Sequence, residues 1–351
     1  MSSVQNLETP TAIPVAGVVD EEHRADGVFQ GGGVKGLALV GALMEFSENP
    51  NAQITEWVNV AGTSAGSIIA SLLACGKTPT DLEGLMRATP YKSFEDWGAG
   101  GEMIGGSLNL ARHHGLAHGE AFRSWMDDQL EGATFGSVKK VAPSPEGSPY
   151  RLQMIATDIS RKQMLVLPDD LSNYRQAGTD QPIDPDSFRI ADAVRMSMSI
   201  PYFFQPIELV NVDGTTSTIV DGGVLSNFPV WIFDTQLSPP KRPTFGFHLV
   251  GGKGVGGGLE RVINSLGWPV EMGVNIFHTA TDAWDTRFMS HSTVVRTCPI
   301  SAGDIGTTDF DLTTEQEDWL VASGRAGAQA FLAQFRRADY INTYGRTLNA
   351  D

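Results

Sequence analysis

The chain is poor in cysteine and poor in positive charge, and each shortage narrows what it can be. Its 351 residues include two cysteines, Cys75 and Cys298, which are far apart and outside any CxxC or Cys/His pattern. They are expected to be buried, reduced thiols. Basic residues number 25 against 41 acidic ones, a formal charge of −16. Nucleic-acid binding needs a basic footprint, and none is visible. The same charge disfavours broad adhesion to an anionic bilayer, although it leaves room for a local apolar contact with lipid. The N-terminal stretch MSSVQNLETPTAIPVAGVVDEEHR has no basic segment followed by an apolar one. No signal peptide is therefore read, and a cytoplasmic location is expected. Internal repeats and low-complexity tracts are also missing.

What the chain does have is glycine, 39 residues of it, much of it clustered. Clusters of this kind suit loops where backbone must come close to a ligand. Residues 1–25 are polar and aperiodic and are expected to form a flexible arm. Residues 26–351 are expected to form one α/β domain. Its first strand is GVFQ at 27–30, followed by GGGVKG at 31–36 and an apolar helix at 37–46. EWVNVAG then reads as a second strand, running into GTSAG and the helix SIIASLLAC. This repeated strand-loop-helix order predicts a mostly parallel central sheet sandwiched between helices. Residues 57–75 carry no charge and are long enough to cross a bilayer, but strand, glycine turn and helix describe them better.

Further along, 95–118 is glycine-rich and weakly periodic, suited either to a flap over a site or to a surface loop. A helix is expected at 119–130, a linker at 142–149, and two strands in RLQMIATDIS and KQMLVLP. The helix at 190–201 should stop at Pro201. Residues 205–220 read as a hairpin turning on Asp213-Gly214. Strands are expected at 244–250 and 293–300, mostly helical structure at 258–288, and a long helix at 310–335 capped by Thr313 or Thr314.

GTSAG at 62–66 fits G-x-S-x-G. A serine on a sharp strand-to-helix turn takes strained dihedrals, and its neighbours must be small for the turn to close. Gly62, Ala65 and Gly66 meet that need, and Ser64 becomes the candidate nucleophile. The helix that follows aims its free N–H groups at the serine, where they can stabilise an oxyanion.

GGGVKG also fits the dinucleotide fingerprint G-x-G-x-x-G through Gly31, Gly33 and Gly36. That reading requires an acidic residue ending the next strand, whereas here the strand runs into the serine turn. A phosphate-binding P-loop fails too, because Lys35 precedes Gly36. Consecutive glycines instead suit an oxyanion hole, with donors from Gly31, Gly32 and Gly33 acting beside the N–H of Ala65.

The serine needs a base. His248, His278 and His291 follow it in the order of a Ser–His–Asp esterase, but nothing in their settings marks them. Asp221 ends the apolar run STIV and precedes Gly222 and Gly223. Asp213-Gly214 already serves as the hairpin turn, so Asp221-Gly222 is left without that structural use.

GGGVKG, GTSAG and DGG in this order resemble the patatin-like phospholipase family. DGGVLSNFP carries the family's asparagine and proline at Asn227 and Pro229, and VRMSMSIPYFF, ATDIS and FDLTTEQEDWLVASGRAG are also similar to family segments. The resemblance covers most of 27–335. It implies a Ser–Asp dyad without histidine: Ser64 attacks the acyl carbon, and Asp221 takes its proton and later activates water. It also implies that no metal or cofactor is needed. A free aspartate, with pKa ~3.9, is a poor base near neutrality, so burial should raise Asp221.

The implied substrate is a lipid acyl ester, a phospholipid, lysophospholipid or acylglycerol, met through transient contact with a membrane surface. Met196, Met198, Ile200, Tyr202, Phe203 and Phe204 suit an acyl groove and equally suit a core. A Ser–His–Asp esterase and a catalytically silent lipid-binding protein on the same scaffold are the alternatives.

Overall fold

The computed structural model describes residues 22–94, 115–140, 147–234, 242–251, 271–277, 279, 281 and 291–340. Most of the expected N-terminal arm, residues 142–146 of the linker expected at 142–149, most of the 95–118 segment and much of 258–288 lie outside these residues. The described stretch 271–277 is helical, in line with the expectation for that region.

The fold is α/β, with a central, mostly parallel sheet flanked by helices. Strand β1, Arg24–Phe29, opens two residues inside the segment expected to be an arm, because Ala25 is fully buried in the core. A short 3₁₀ turn, Gly33–Lys35, leads into α1, Gly36–Glu48. Nine of the 13 residues of α1 are buried, as its nearly unbroken apolar sequence requires. Strand β2, Glu56–Thr63, and helix α2, Ala65–Ala74, divide the uncharged run 57–75 between them. Among the described residues no helix is long and apolar enough to cross a membrane.

Helix α3, Pro79–Ala88, starts from a capping box in which Thr78 and Asp81 exchange hydrogen bonds. Strand β3, Gly115–Ala117, is followed by α4, Glu120–Gln129. Strands β4, Leu152–Asp158, and β5, Gln163–Leu167, are antiparallel. Every residue of β4 is buried, so the strand shows no alternation of polar and apolar residues. Helix α5, Ile190–Ser197, ends before Pro201, as expected. Strands β6, Tyr202–Phe204, β7, Ile207–Val210, and β8, Thr216–Asp221, come next, with β7 and β8 forming the expected hairpin. In its turn, Asp213 accepts hydrogen bonds from the N–H and hydroxyl of Thr215 at 2.9 and 2.6 Å.

Strand β9, Thr244–Val250, lies where expected, whereas β10, Thr297–Ser301, is shorter than the run 293–300, whose first residues form a helical turn at His291–Val294. The long helix α6 spans Thr314–Gln334 and is capped by Thr313, whose side chain accepts from Gln316 N while Gln316 returns a bond to the cap.

Hydrogen-bonded neighbours link the main sheet as β10-β9-β1-β2-β4-β8-β7, with β5 also paired to β4, and β3 pairs with β6 in a separate two-stranded sheet. Helices α1 and α6 cover one face at backbone distance. A Cβ on Gly41 would lie 2.2 Å from the Val321 carbonyl oxygen, and one on Gly324 only 1.9 Å from that of Ala38. Phe29, Phe46, Trp57, Phe245, Phe247 and Phe331 interlock beneath them, and the Phe29 and Phe247 rings stack 4.9 Å apart. On another patch of β1 and β2, Val28 and Ala61 pack against Phe228 and Val230.

Both cysteines are free thiols. Cys298 is buried, but Cys75 is only partly so, a correction to the expectation of two buried residues. Burial pushes their pKa values up, to about 12 and about 11.

Candidate active site

The register of β4 brings the two halves of the site together. Strand β2 is parallel to β4 and ends with Thr63 opposite Ile155. Strand β8 is antiparallel to β4 and ends with Asp221 opposite Ala156. Strand β5 pairs with both Ile155 and Ala156, so β2 and β8 must share the other edge of β4. They approach each other tip to tip. The residue after Thr63 is Ser64, and it faces the end of the strand that delivers Asp221.

Ser64 sits between β2 and α2 with φ 51° and ψ −126°, a left-handed conformation that a side chain adopts only under strain. The turn closes because its neighbours are small. A Cβ on Gly62 would lie 2.2 Å from the Gly66 carbonyl oxygen, and one on Gly66 only 2.1 Å from that of Phe29. The Ser64 carbonyl accepts from both the N–H and the hydroxyl of Ser67, at 2.8 and 2.6 Å. The Ser64 N–H donates to the hydroxyl of fully buried Ser197 at 3.0 Å. Ser197, on α5, has no sequence signature beyond its place before Pro201, and sequence reasoning missed it.

The Asp221 carboxyl is buried. Its Oδ1 accepts from Gly223 N at 2.7 Å, whereas Oδ2 is fully buried without a complete hydrogen bond. Burial dominates its titration and pushes the pKa up to about 7, against smaller opposing effects from the Gly223 N–H and the Ser64 hydroxyl. The raised value agrees with the expectation from sequence. The Ser64 hydroxyl therefore lies close enough to act on the carboxylate without satisfying Oδ2. Gly222 lets this turn press on β4, since a Cβ there would lie 2.3 Å from the Ile155 carbonyl oxygen.

The glycine loop is divided in its use. The Gly31 N–H donates to the Asn227 carbonyl at 3.1 Å, and Asn227 Nδ2 donates back to the Gly31 carbonyl at 3.3 Å. Gly31 is thus tied down, and its expected part as an oxyanion donor is corrected. What Gly31 supplies is close approach: a Cβ there would lie 2.2 Å from Asn227 Oδ1 and 3.1 Å from Ser64 Cβ. The N–H groups of Gly32, Gly33 and Ala65 donate to no acceptor among the described residues. Gly33 takes φ +58°. Lys35 is buried in the 3₁₀ turn, and Gly36 begins α1 beside Met86. Asn227 and its neighbour act as a clasp, because the Ser226 carbonyl also accepts from the Thr63 hydroxyl at 2.9 Å.

Next to these free donors opens an apolar pocket. Gly33 and Ala65 form part of its wall, along with Ile68, Met86, Phe122 and Trp125. Of the residues suited by sequence to a groove, Met198, Ile200 and Phe204 line it, whereas Met196 packs in the main core and Tyr202 and Phe203 in a smaller cluster. The remaining aromatic lining comes from distant stretches of chain, which no local pattern announced.

His248 lies on β9 with its ring 5.2 Å from that of Phe228. His278 and the side chain of His291 lie outside the described residues. Among the described residues, no histidine perturbs the Asp221 carboxyl, and no group of three or more His, Cys, Asp or Glu side chains could hold a metal ion.

A strained serine at a strand-to-helix turn, a buried carboxyl and free N–H donors thus lie together beside an apolar pocket. Sequence comparison assigns the family. A family profile described as patatin-like phospholipase matches residues 27–234, and the chain belongs to that family. Membership supports lipid hydrolase activity. The chain is 35% identical over 325 residues to the uncharacterized protein YqhO of Bacillus subtilis, covering 88% of this chain and 98% of that one. It is 24% identical over 202 residues to an intracellular phospholipase A2 of Caenorhabditis elegans, covering 57% of this chain but 16% of that one. Among solved structures, VipD of Legionella pneumophila is similar at 16% identity and a TM-score of 0.48, covering 89% of this chain and 67% of that one.

Proposed function

We propose that the chain hydrolyses carboxylic esters of phospholipids, lysophospholipids or acylglycerols through a Ser64–Asp221 dyad and an acyl-enzyme intermediate. One observation carries the reading: two strand ends meet on the same edge of β4, one leading into Ser64 and the other ending in Asp221. The base has a pKa of about 7, close to the value that best serves proton transfer at neutral pH.

In this mechanism Ser64 Oγ attacks the acyl carbon as Asp221 Oδ2 takes its proton. The carbonyl oxygen becomes an oxyanion held by the N–H groups of Gly32, Gly33 and Ala65 at the start of α2, whose dipole adds to the stabilisation. Asp221 returns the proton to the leaving alkoxide, then removes one from the water that attacks the acyl-enzyme, and gives that proton back to Ser64 Oγ as the fatty acid leaves. The acyl chain occupies the apolar pocket that begins at Gly33 and Ala65. The relative described as an intracellular phospholipase A2 supports a phospholipid among the candidate substrates.

The test is fatty-acid release from a lysophospholipid and from a short p-nitrophenyl ester. The wild type should release acid, and both Ser64→Ala and Asp221→Asn should fall to background. Substantial activity in Asp221→Asn would place the base elsewhere.

A further inference from the structure

The C-terminal part of the chain returns to the site. After β10 the segment 302–310 crosses back toward the glycine loop as a strap. The Thr307 carbonyl accepts the Val34 N–H at 3.1 Å and fills the space of a Cβ on Gly33, from which it would lie only 1.9 Å away. Three residues on, the Phe310 ring lies nearly parallel to that of Tyr91, at 6.1 Å and 9°, and leans on Phe203 at 5.5 Å. Thr307, Tyr91 and Phe310 all line the apolar pocket. The strap is braced internally, with Gly306 N donating to Asp309 Oδ2 at 2.7 Å and Phe310 N to the Thr308 carbonyl at 2.9 Å. It also lies wholly outside the stretch 27–234 that matches the family profile.

We propose that this strap determines acyl specificity and that Phe310, stacked on Tyr91, sets the longest straight hydrocarbon chain the pocket accepts. The inference rests on the hydrolase reading above. An acyl group whose carbonyl oxygen sits at the Gly33 and Ala65 donors must send its chain along the pocket wall. That wall is almost wholly apolar, so each methylene that enters it is favoured by a factor of about four, while a hydroxylated chain would lose hydrogen bonds to water. Methionine side chains such as Met86 and Met198 adapt to a passing chain. A ring held between Tyr91 and Phe203 on a braced backbone yields far less. Phe310 is also half-buried rather than sealed in the core, which puts its face within reach of a ligand.

The experiment measures two quantities for chains from two to sixteen carbons: kcat/KM on p-nitrophenyl esters, and binding of the matching fatty acids by displacement of a fluorescent apolar probe. Wild type is compared with Phe310→Ala, Phe310→Leu and Phe310→Trp, with melting temperatures recorded to confirm folding. In wild type both quantities should climb with length and then stop. Phe310→Ala should move the stopping point at least two carbons longer, raising relative activity on the longer ester about 15-fold at the factor above. Phe310→Leu should move it less, and Phe310→Trp should move it shorter, each profile being normalised to the same variant's two-carbon ester. Coincident length profiles in wild type and all folded variants would overturn the role of Phe310 while leaving Ser64-dependent hydrolysis intact. If the binding limit moves with Phe310 but no ester is cleaved, the pocket assignment stands and the hydrolase reading fails.

Discussion

Replacing Asp221 by asparagine should stabilise the protein, and by an amount that depends on pH. The carboxyl is buried and its pKa is raised from 3.8 to about 7. In the unfolded chain the same group ionises near 4. Between those values folding must either take up a proton or bury a charge, so stability is lost as pH rises. The penalty is nearly absent at pH 4, about 0.5 kcal/mol, and reaches about 4 kcal/mol at pH 8. Asparagine removes it while keeping an oxygen to accept the Gly223 N–H, now bonded at 2.7 Å. For a chain of this length about 4 kcal/mol corresponds to a rise of about 5 °C in melting temperature. Differential scanning calorimetry of both proteins at pH 4 and pH 8 reads the effect. The variant should melt about 5 °C higher at pH 8 and within about 1 °C of wild type at pH 4. An equal difference at both pH values would refute the assignment of a buried carboxyl with an elevated pKa, whatever the activity data show.

The same titration predicts that kcat/KM rises with pH through a limb of apparent pKa about 7, because only ionised Asp221 can accept the Ser64 proton; a pH–rate profile on a soluble ester checks it. Ser64→Gly should abolish turnover yet stabilise the fold by about 1–3 kcal/mol, since glycine adopts φ 51° without strain; urea denaturation measures the gain. Ser197→Ala leaves the Ser64 N–H without its buried acceptor and should cost about 1–3 kcal/mol, together with a fall in kcat and little change in KM. Gly66→Ala puts a methyl 2.1 Å from the Phe29 carbonyl oxygen, and steady-state assays should find activity gone even in protein that remains folded.

The sheet was legible because its strands are apolar and its turns are punctuated by glycine. The run from β1 to α2 falls within a few residues of its observed limits for that reason. Ser64 and Asp221 were legible because each needs tiny neighbours in an order that local chemistry explains. The pairing of β2 and β8 on one edge of β4 was not, because register depends on contacts about 160 residues apart along the chain, as between Thr63 and Ser226. Gly31 was misjudged for a related reason. Its N–H is free in the sequence pattern and is claimed by Asn227 only once the chain folds back. The pocket was half legible: Met198, Ile200 and Phe204 stand in one run, whereas Tyr91, Phe122 and Phe310 come together only in three dimensions.

The central claim is that Ser64 is the nucleophile and Asp221 the group that activates it. It is tested most directly by covalent capture with an alkyl fluorophosphonate, followed by peptide mass mapping at several pH values. The account predicts one adduct, on Ser64, absent in Ser64→Ala, forming faster as pH rises through about 7 and slowed by orders of magnitude in Asp221→Asn. Labelling at a different serine, or labelling of Ser64 at an undiminished rate in Asp221→Asn, would contradict it.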